Sequence, residues 1–299
     1  MRFDVIGVGA NSVDTVAVLP ACPQMSGPFA KMRIREHATR CGGQMATALA
    51  TCARLGLRTA YVGAVGGDAN GRLVRETLAG LGIDLSHVVV HDGFNQFALV
   101  LVEEGTGERS VLWDRDERLR LADHELPRAA IESCRLLHVD DVDERAALTA
   151  ARIAGAKGIP VTSDIDRLID GTAELIDAVS VAILAEHVPP ALTGRVDVRE
   201  ALAAMPRRPG QVLCVTLGRQ GAVAIDDDGF HERAGFELAV KDTTGAGDVF
   251  RGGFIYARLR GCSLDEQLRF ANAAAAVSCT RPGAIASVPA LEEIQALLK

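Results

Sequence analysis

The stretch Asp242-Thr243-Thr244-Gly245-Ala246-Gly247-Asp248-Val249-Phe250 joins a polar, glycine-containing turn to the apolar period of a helix. Two glycines around an alanine free the backbone to turn sharply, and the helix that follows leaves its first N–H groups without intrahelical partners. Such an end carries about half a positive charge and several free donors, so it can hold a phosphate or a developing oxyanion without Lys or Arg. Asp248 falls in the first turn. There it either complements the helix dipole or accepts a proton beside the bound anion.

Upstream of this stretch, short apolar runs alternate with helical patterns. Strands are expected at Phe3 to Val8, Thr59 to Val65, Arg135 to Val139, Pro160 to Asp164, Val179 to Leu184 and Gln211 to Leu217, with helices at Gln44 to Leu55, Gly71 to Leu81 and Glu144 to Lys157. This rhythm predicts βαβ units and an α/β fold with a doubly wound, mostly parallel sheet. Two segments break it: Ser12 to Arg40, with Pro20, Pro23 and Pro28, and Gln96 to Arg115, which reads as strands Phe97 to Glu103 and Arg109 to Asp114 around Glu104-Gly105-Thr106-Gly107. They predict a small β appendage over 12–40 and 96–115, with 1–11, 41–95 and 116–299 as the α/β body. Helices return at Gly247 to Leu259 and Leu264 to Cys279, the latter opened by a capping box at Ser263 and Glu266.

Composition narrows the function. In 299 residues, 48% are hydrophobic and 24% charged, the balance of a globular protein, and 32 Lys+Arg against 39 Asp+Glu give a net charge of -7. That charge argues against broad nucleic-acid binding and favours a small-molecule partner. The seven cysteines are scattered without a C-x-x-C pair, which points to reduced thiols in a cytoplasmic protein, and no apolar run is long enough for a membrane role. The dispersed histidines, His138 and His187 among them, read as packed or surface residues. A dinucleotide fingerprint and a P-loop are both missing: Gly7-Val8-Gly9-Ala10-Asn11-Ser12 lacks the third glycine and continues as extended chain.

Asp242 to Asp248 resembles the signature of the ribokinase-like (pfkB) carbohydrate kinase family, and further motifs along nearly the whole chain resemble that family too. Cys41-Gly42-Gly43-Gln44-Met45-Ala46-Thr47-Ala48 is similar to its double-glycine motif, Gly66-Gly67-Asp68-Ala69-Asn70-Gly71 to its next turn, and Val215-Thr216-Leu217-Gly218-Arg219-Gln220-Gly221-Ala222 to the strand and turn that meet the nucleotide. The resemblance implies an ATP-dependent kinase that transfers the γ-phosphoryl group to a hydroxyl of a monosaccharide or sugar derivative. It implies Asp248 as catalytic base, Gly245, Ala246 and Gly247 as the anion hole, and Asp14, Gly42, Gly43 and Thr47 as substrate-binding residues. Thr216, Gly218, Gly221, Gly245, Gly247 and Asn272 would face the nucleotide. Magnesium would accompany ATP, and potassium would sit among Asp242, Thr244, Ser278, Arg281, Gly283 and Ser287. The β appendage would be a lid over the sugar and the surface of a homodimer.

Two departures mark this chain. Thr47 stands where the family usually has Asn, so a donor is lost and a methyl gained, and plain ribose is expected to be a poor substrate. The family's N-x-x-E segment should fall at Leu184-Ala185-Glu186-His187-Val188, which has neither the Asn nor the spaced Glu; Glu186 is either a substitute or a solvent-facing acid. A nucleoside kinase of the same superfamily and a sugar-binding homologue with impaired catalysis are the alternative readings. Aromatics at 4% weigh against the first, and the intact Asp248 against the second.

Overall fold

The computed structural model describes residues 3–106 and 108–299, so residues 1 and 2 and Gly107 of the expected lid turn lie outside the described residues. Among the described residues, thirteen strands occur in chain order: β1 Val5–Val8, β2 Ser12–Leu19, β3 Glu36–Gly42, β4 Thr59–Gly66, β5 Asp84–His91, β6 Phe97–Glu103, β7 Arg109–Asp114, β8 Leu136–Asp140, β9 Val161–Ile165, β10 Val181–Ala185, β11 Val212–Thr216, β12 Ala222–Asp226 and β13 Gly229–Arg233. Nine form one sheet in the order β13-β12-β11-β10-β9-β8-β1-β4-β5. It is parallel from β5 to β11 and closed at one edge by the antiparallel β12 and β13.

Helices cover both faces, which is why the central strands are largely apolar and wholly enclosed: every residue of β1, β4, β8 and β9 is buried, the polar His138, Asp140, Thr162, Ser163 and Asp164 included. One face carries Glu144–Gly155, Thr172–Ala178, Val188–Thr193 and Val198–Ala204; the other carries Gln44–Arg54, Ala69–Gly80, Ala246–Leu259, Leu264–Ser278 and Leu291–Leu298. Local chemistry starts several of them. Asp68 caps Ala69–Gly80 by accepting from Gly71 N–H at 2.9 Å, and Ser263 with Glu266 forms the expected capping box. Small residues set the spacing of the others: a Cβ on Gly252 would stand 2.8 Å from Ala48 O, and one on Gly253 3.1 Å from Ala274 Cβ. The alanine run Ala273 to Ala276 belongs to that close packing.

The strand order reverses between β1 and β8. From β1 the chain builds outward through β4 and β5, then returns to β1's other side with β8. The carboxyl ends of strands at such a switch point enclose a crevice, because the flanking loops diverge to opposite faces of the sheet. The remaining four strands, within 12–42 and 97–114, form a separate sheet in the order β3-β2-β6-β7 beside this crevice. Phe97, Val111, Leu112 and Trp113 of that sheet are exposed.

Candidate active site

Gly245 caps the helix Ala246–Leu259 in the left-handed region, at φ 74 and ψ 4. Only glycine adopts this without strain, and here the space demands it as well: a Cβ would stand 2.7 Å from Ala284 Cβ and 3.4 Å from Thr47 Cγ2. The helix therefore opens on a tight turn in which Ala246 N–H donates back to Thr243 O at 3.2 Å, while Gly245 and Gly247 stand at a helix start whose N–H groups have no intrahelical acceptor. Asp248 is in its first turn, as the sequence predicts, and part of its surface stays open.

Asp242 builds the turn before that helix. One carboxylate oxygen accepts from the N–H and hydroxyl of Thr244 at 2.9 and 2.6 Å; the other accepts from Gly283 N–H at 2.7 Å. A single side chain thus fastens 242–244 to the loop after Leu264–Ser278. Ser278 and Ser287 donate their hydroxyls to Ala275 O and Ala284 O, and Arg281 pairs with Glu293 at 3.1 Å, so the six expected cation-site residues come from two segments that Asp242 joins.

The double glycine and Asp14 face the same crevice. Gly43, at φ 96, caps Gln44–Arg54, and a Cβ there would press on Asn11 Cα at 2.5 Å. Gly42 is adjacent, where a Cβ would stand 2.8 Å from Asp14 Oδ2. Asp14 accepts from Ser12 Oγ at 2.6 Å, and burial raises its pKa above the ordinary carboxylate value. Thr47 is fully buried beneath Gly245, its methyl toward the turn and its hydroxyl without a partner.

Acids gather around Asp248. Asp140, at the end of β8, accepts from Ala10 N–H at 2.7 Å across the switch point and from Val142 N–H at 3.0 Å. Burial nonetheless pushes it up to about 8. Asp248 is pushed up to about 7, first by burial and then by the neighbouring Asp140, Asp166 and Asp14, against the opposing pull of Arg251. An enclosed carboxyl of this kind titrates near neutrality and can exchange a proton with a bound hydroxyl.

Residues expected at the nucleotide lie further along the sheet. Thr216 ends β11, and Gly218 and Gly221, at φ 55 and 99, bound the turn to β12. Their chain neighbours Leu217, Gln220 and Ala222, rather than these three residues, line a groove of about 910 Å³ whose other walls include Glu186, Arg195 and Ala234. Glu186 is exposed on this groove just past β10, so the sequence departure lies at its rim. Asn272 is buried and donates its amide to Arg233 O and Ala234 O at 2.8 and 3.2 Å, holding the segment that leaves β13.

The pfkB family carbohydrate kinase model matches residues 9–291. The chain belongs to this family. It is 27% identical to ribokinase of Haemophilus influenzae, covering 98% of this chain and 97% of that one, and 31% identical to nucleoside kinase of Methanothermobacter thermautotrophicus, covering 96% and 92%. Its fold matches the structure of Arabidopsis thaliana ribokinase complexed with ribose and ATP at a TM-score of 0.85 and 25% identity, over 100% of this chain and 99% of that one.

Several residues gathered at this candidate site are not among those the sequence singles out. Asp140, Asp164 and Asp166 stand at or just past strand ends, and an acid closing an apolar strand is the signal that marks them. Asn95 is fully buried and bridges Gly66 N–H and Asn11 at 3.1 and 2.9 Å, pinning the turn after β4 to the loop after β1. Arg251 is a charge on the apolar face of a helix, a break in pattern that composition hides. His138 is fully buried, and burial lowers its pKa to about 3, while His187 is exposed, in line with the packed and surface roles expected.

Proposed function

We propose that this pfkB-family kinase transfers the γ-phosphoryl group of MgATP to a hydroxyl of a monosaccharide or sugar derivative. The observation that carries the reading is the left-handed helix start at Gly245 with Asp248 in its first turn, near enough to Asp14 for the two carboxyls to repel. The acceptor oxygen bonds to the γ-phosphorus as the bond to the β-phosphate bridge breaks. The N–H groups of Gly245, Ala246 and Gly247 hold charge on the moving group, and Asp248 orients the hydroxyl and takes its proton late in the transfer. Asp14, with Gly42 and Gly43, accepts hydrogen bonds from the remaining hydroxyls, Thr47 backs the turn, and Thr216, Gly218, Gly221 and Asn272 border the nucleotide.

In this reading 1–11, 41–95 and 116–299 form the body, while 12–40 and 96–115 form a lid that excludes water. The exposed Phe97, Val111, Leu112 and Trp113 support a homodimer through that lid. Potassium would bind among Asp242, Thr244, Ser278, Arg281, Gly283 and Ser287. What supports this is that Asp242 brings both segments together, so carbonyl and carboxylate oxygens suited to a hard cation lie close by. A cytoplasmic location fits the free cysteines, and among the described residues no helix is long and apolar enough to cross a membrane.

ADP release from MgATP over a panel of D-ribose, D-fructose, a keto-deoxy sugar acid and adenosine tests the reading. Acceptor-dependent ADP formation with one of the sugars is expected, and ribose is expected to be among the poor ones because Thr47 replaces the usual amide. Turnover confined to adenosine would move the assignment to the nucleoside kinases, a reading favoured by the 31% identity to one of them. No acceptor-dependent release with any compound would leave a binding protein.

A further inference from the structure

Arg251 follows Asp248 by three residues, so it lies on the same side of the helix Ala246–Leu259. It is only 4% exposed, and its Nη2 stands 2.6 Å from Oδ1 of Asp164, a fully enclosed carboxylate near the end of β9. The guanidinium also lies against the turn that opens the helix, since a Cβ on Gly247 would stand 2.7 Å from Arg251 Nη1. The pair is poorly solvated by its surroundings: among the described residues neither Arg251 Nε nor either carboxylate oxygen of Asp164 has a partner in hydrogen-bond geometry, so the contact is an ion pair alone. A buried ion pair of this quality does little for net stability, because the cost of taking both charges out of water is repaid only by good geometry and further hydrogen bonds. Its place one helical turn from Asp248 gives it another use.

The charged groups that face Asp248 come from every element around it. Asp14 comes from β2, Asp140 from β8, Asp164 from β9, Asp166 from the loop that follows, and Arg251 from its own helix. His138 of β8 is within the influence of Arg251 and is held neutral by burial. Arg251 is the cation of this group. We propose that Arg251, anchored by Asp164, is a positioning residue for phosphoryl transfer: it clamps the first turn of the helix to the end of β9 and supplies the positive charge beside which the Asp248 carboxylate stays ready to take a proton. The inference rests on Asp248 being the base. Burial and the neighbouring Asp140, Asp166 and Asp14 drive that carboxylate toward its protonated form, and Arg251 is what opposes them.

The test follows the protonation of Asp248 directly, by carbon-13 NMR of aspartate-labelled protein, with its signal assigned as the one lost in Asp248→Asn. Alongside it runs the pH profile of kcat/KM with MgATP and the best acceptor of the panel above. Arg251→Met should move the titration and the acid limb upward by about one pH unit or more, whereas Arg251→Lys, which keeps the charge, should restore them. Asp164→Asn is nearly isosteric and leaves the guanidinium unopposed, so it should move both downward. Titrations of Arg251→Met and Asp164→Asn that coincide with that of the unmodified protein would overturn the role given to Arg251. Should Arg251→Met fail to fold, the shift in Asp164→Asn decides alone, and its absence overturns the inference. Undiminished turnover in Asp248→Asn would instead overturn the base reading, and an inactive Asp248→Asn with unmoved titrations in the other variants would overturn only the clamp.

Discussion

Gly245 and Ala284 meet so closely that a Cβ on the glycine would stand 2.7 Å from the Cβ of the alanine. The contact comes where the backbone is already left-handed, so a side chain is refused twice, once by conformation and once by space. Gly245→Ala is expected to lower stability by about 1–3 kcal/mol. It should also lower kcat by about 10²-fold, the size of a lost oxyanion donor, because the N–H groups of 245–247 would be displaced. Denaturant melts and steady-state rates check the two effects. A variant that melts lower yet turns over normally would show that this turn does not hold the transferred group.

Asp248→Asn should keep the fold and lower kcat by at least about 10²-fold, as the loss of a general base does. The unmodified enzyme carries a matching pH signature. A base works only when unprotonated, and burial with nearby acids raises Asp248 to about 7. The value of kcat/KM should therefore fall as pH drops through about 7, by about tenfold for each further unit. A rate that stays flat down to pH 5 would assign the proton to another group.

Asp242→Asn should loosen the turn before the helix. The carboxylate accepts three hydrogen bonds through two oxygens, and an amide keeps one acceptor while turning a donor toward either Gly283 N–H or Thr244 N–H. A loss of about 1–3 kcal/mol in stability is expected, with a larger drop in kcat than in acceptor affinity. Thermal melting and the separate values of kcat and KM read this out; equal changes in kcat and KM would contradict it.

Thr47→Val should stabilise the protein by about 1 kcal/mol, because it replaces a buried hydroxyl that has no partner with a methyl of the same shape. Urea unfolding measures it. Destabilisation by the same amount would mean that the hydroxyl is satisfied in solution by water or by a bound ligand.

Much of this site is legible in the sequence because it depends on backbone. Gly43, Gly245 and the Asp248 that follows declare themselves by residue type, since positive φ and a helix start leave few substitutes. The sheet's parallel centre is equally readable from its apolar runs. What the sequence hides is longer-range. Asp140 becomes part of the site only because β8 pairs with β1, and Arg251 only because β9 ends opposite the second turn of its helix. β12 and β13 escape the sequence reading because they form an antiparallel edge in which the short apolar run Ala222 to Ile225 passes straight into polar residues such as Asp226, Glu232 and Arg233. The Asp84–His91 strand escapes it because it follows its helix after only a brief turn and alternates weakly.

The helix Gln44–Arg54 rests directly on Ala246–Leu259, with Cys52 donating to Gly252 O across 200 residues of sequence. On a ribosome the first of these emerges long before the second. Until the last fifth of the chain is made, the apolar flank that Ala48, Thr51 and Cys52 will share with Gly252 has no cover, and neither half of the crevice at the switch point can close. The nascent protein is thus obliged to wait with an adhesive surface exposed, which makes its yield sensitive to translation speed and to holding chaperones, and makes a chain truncated before Asp242 a candidate for aggregation rather than for a working subdomain.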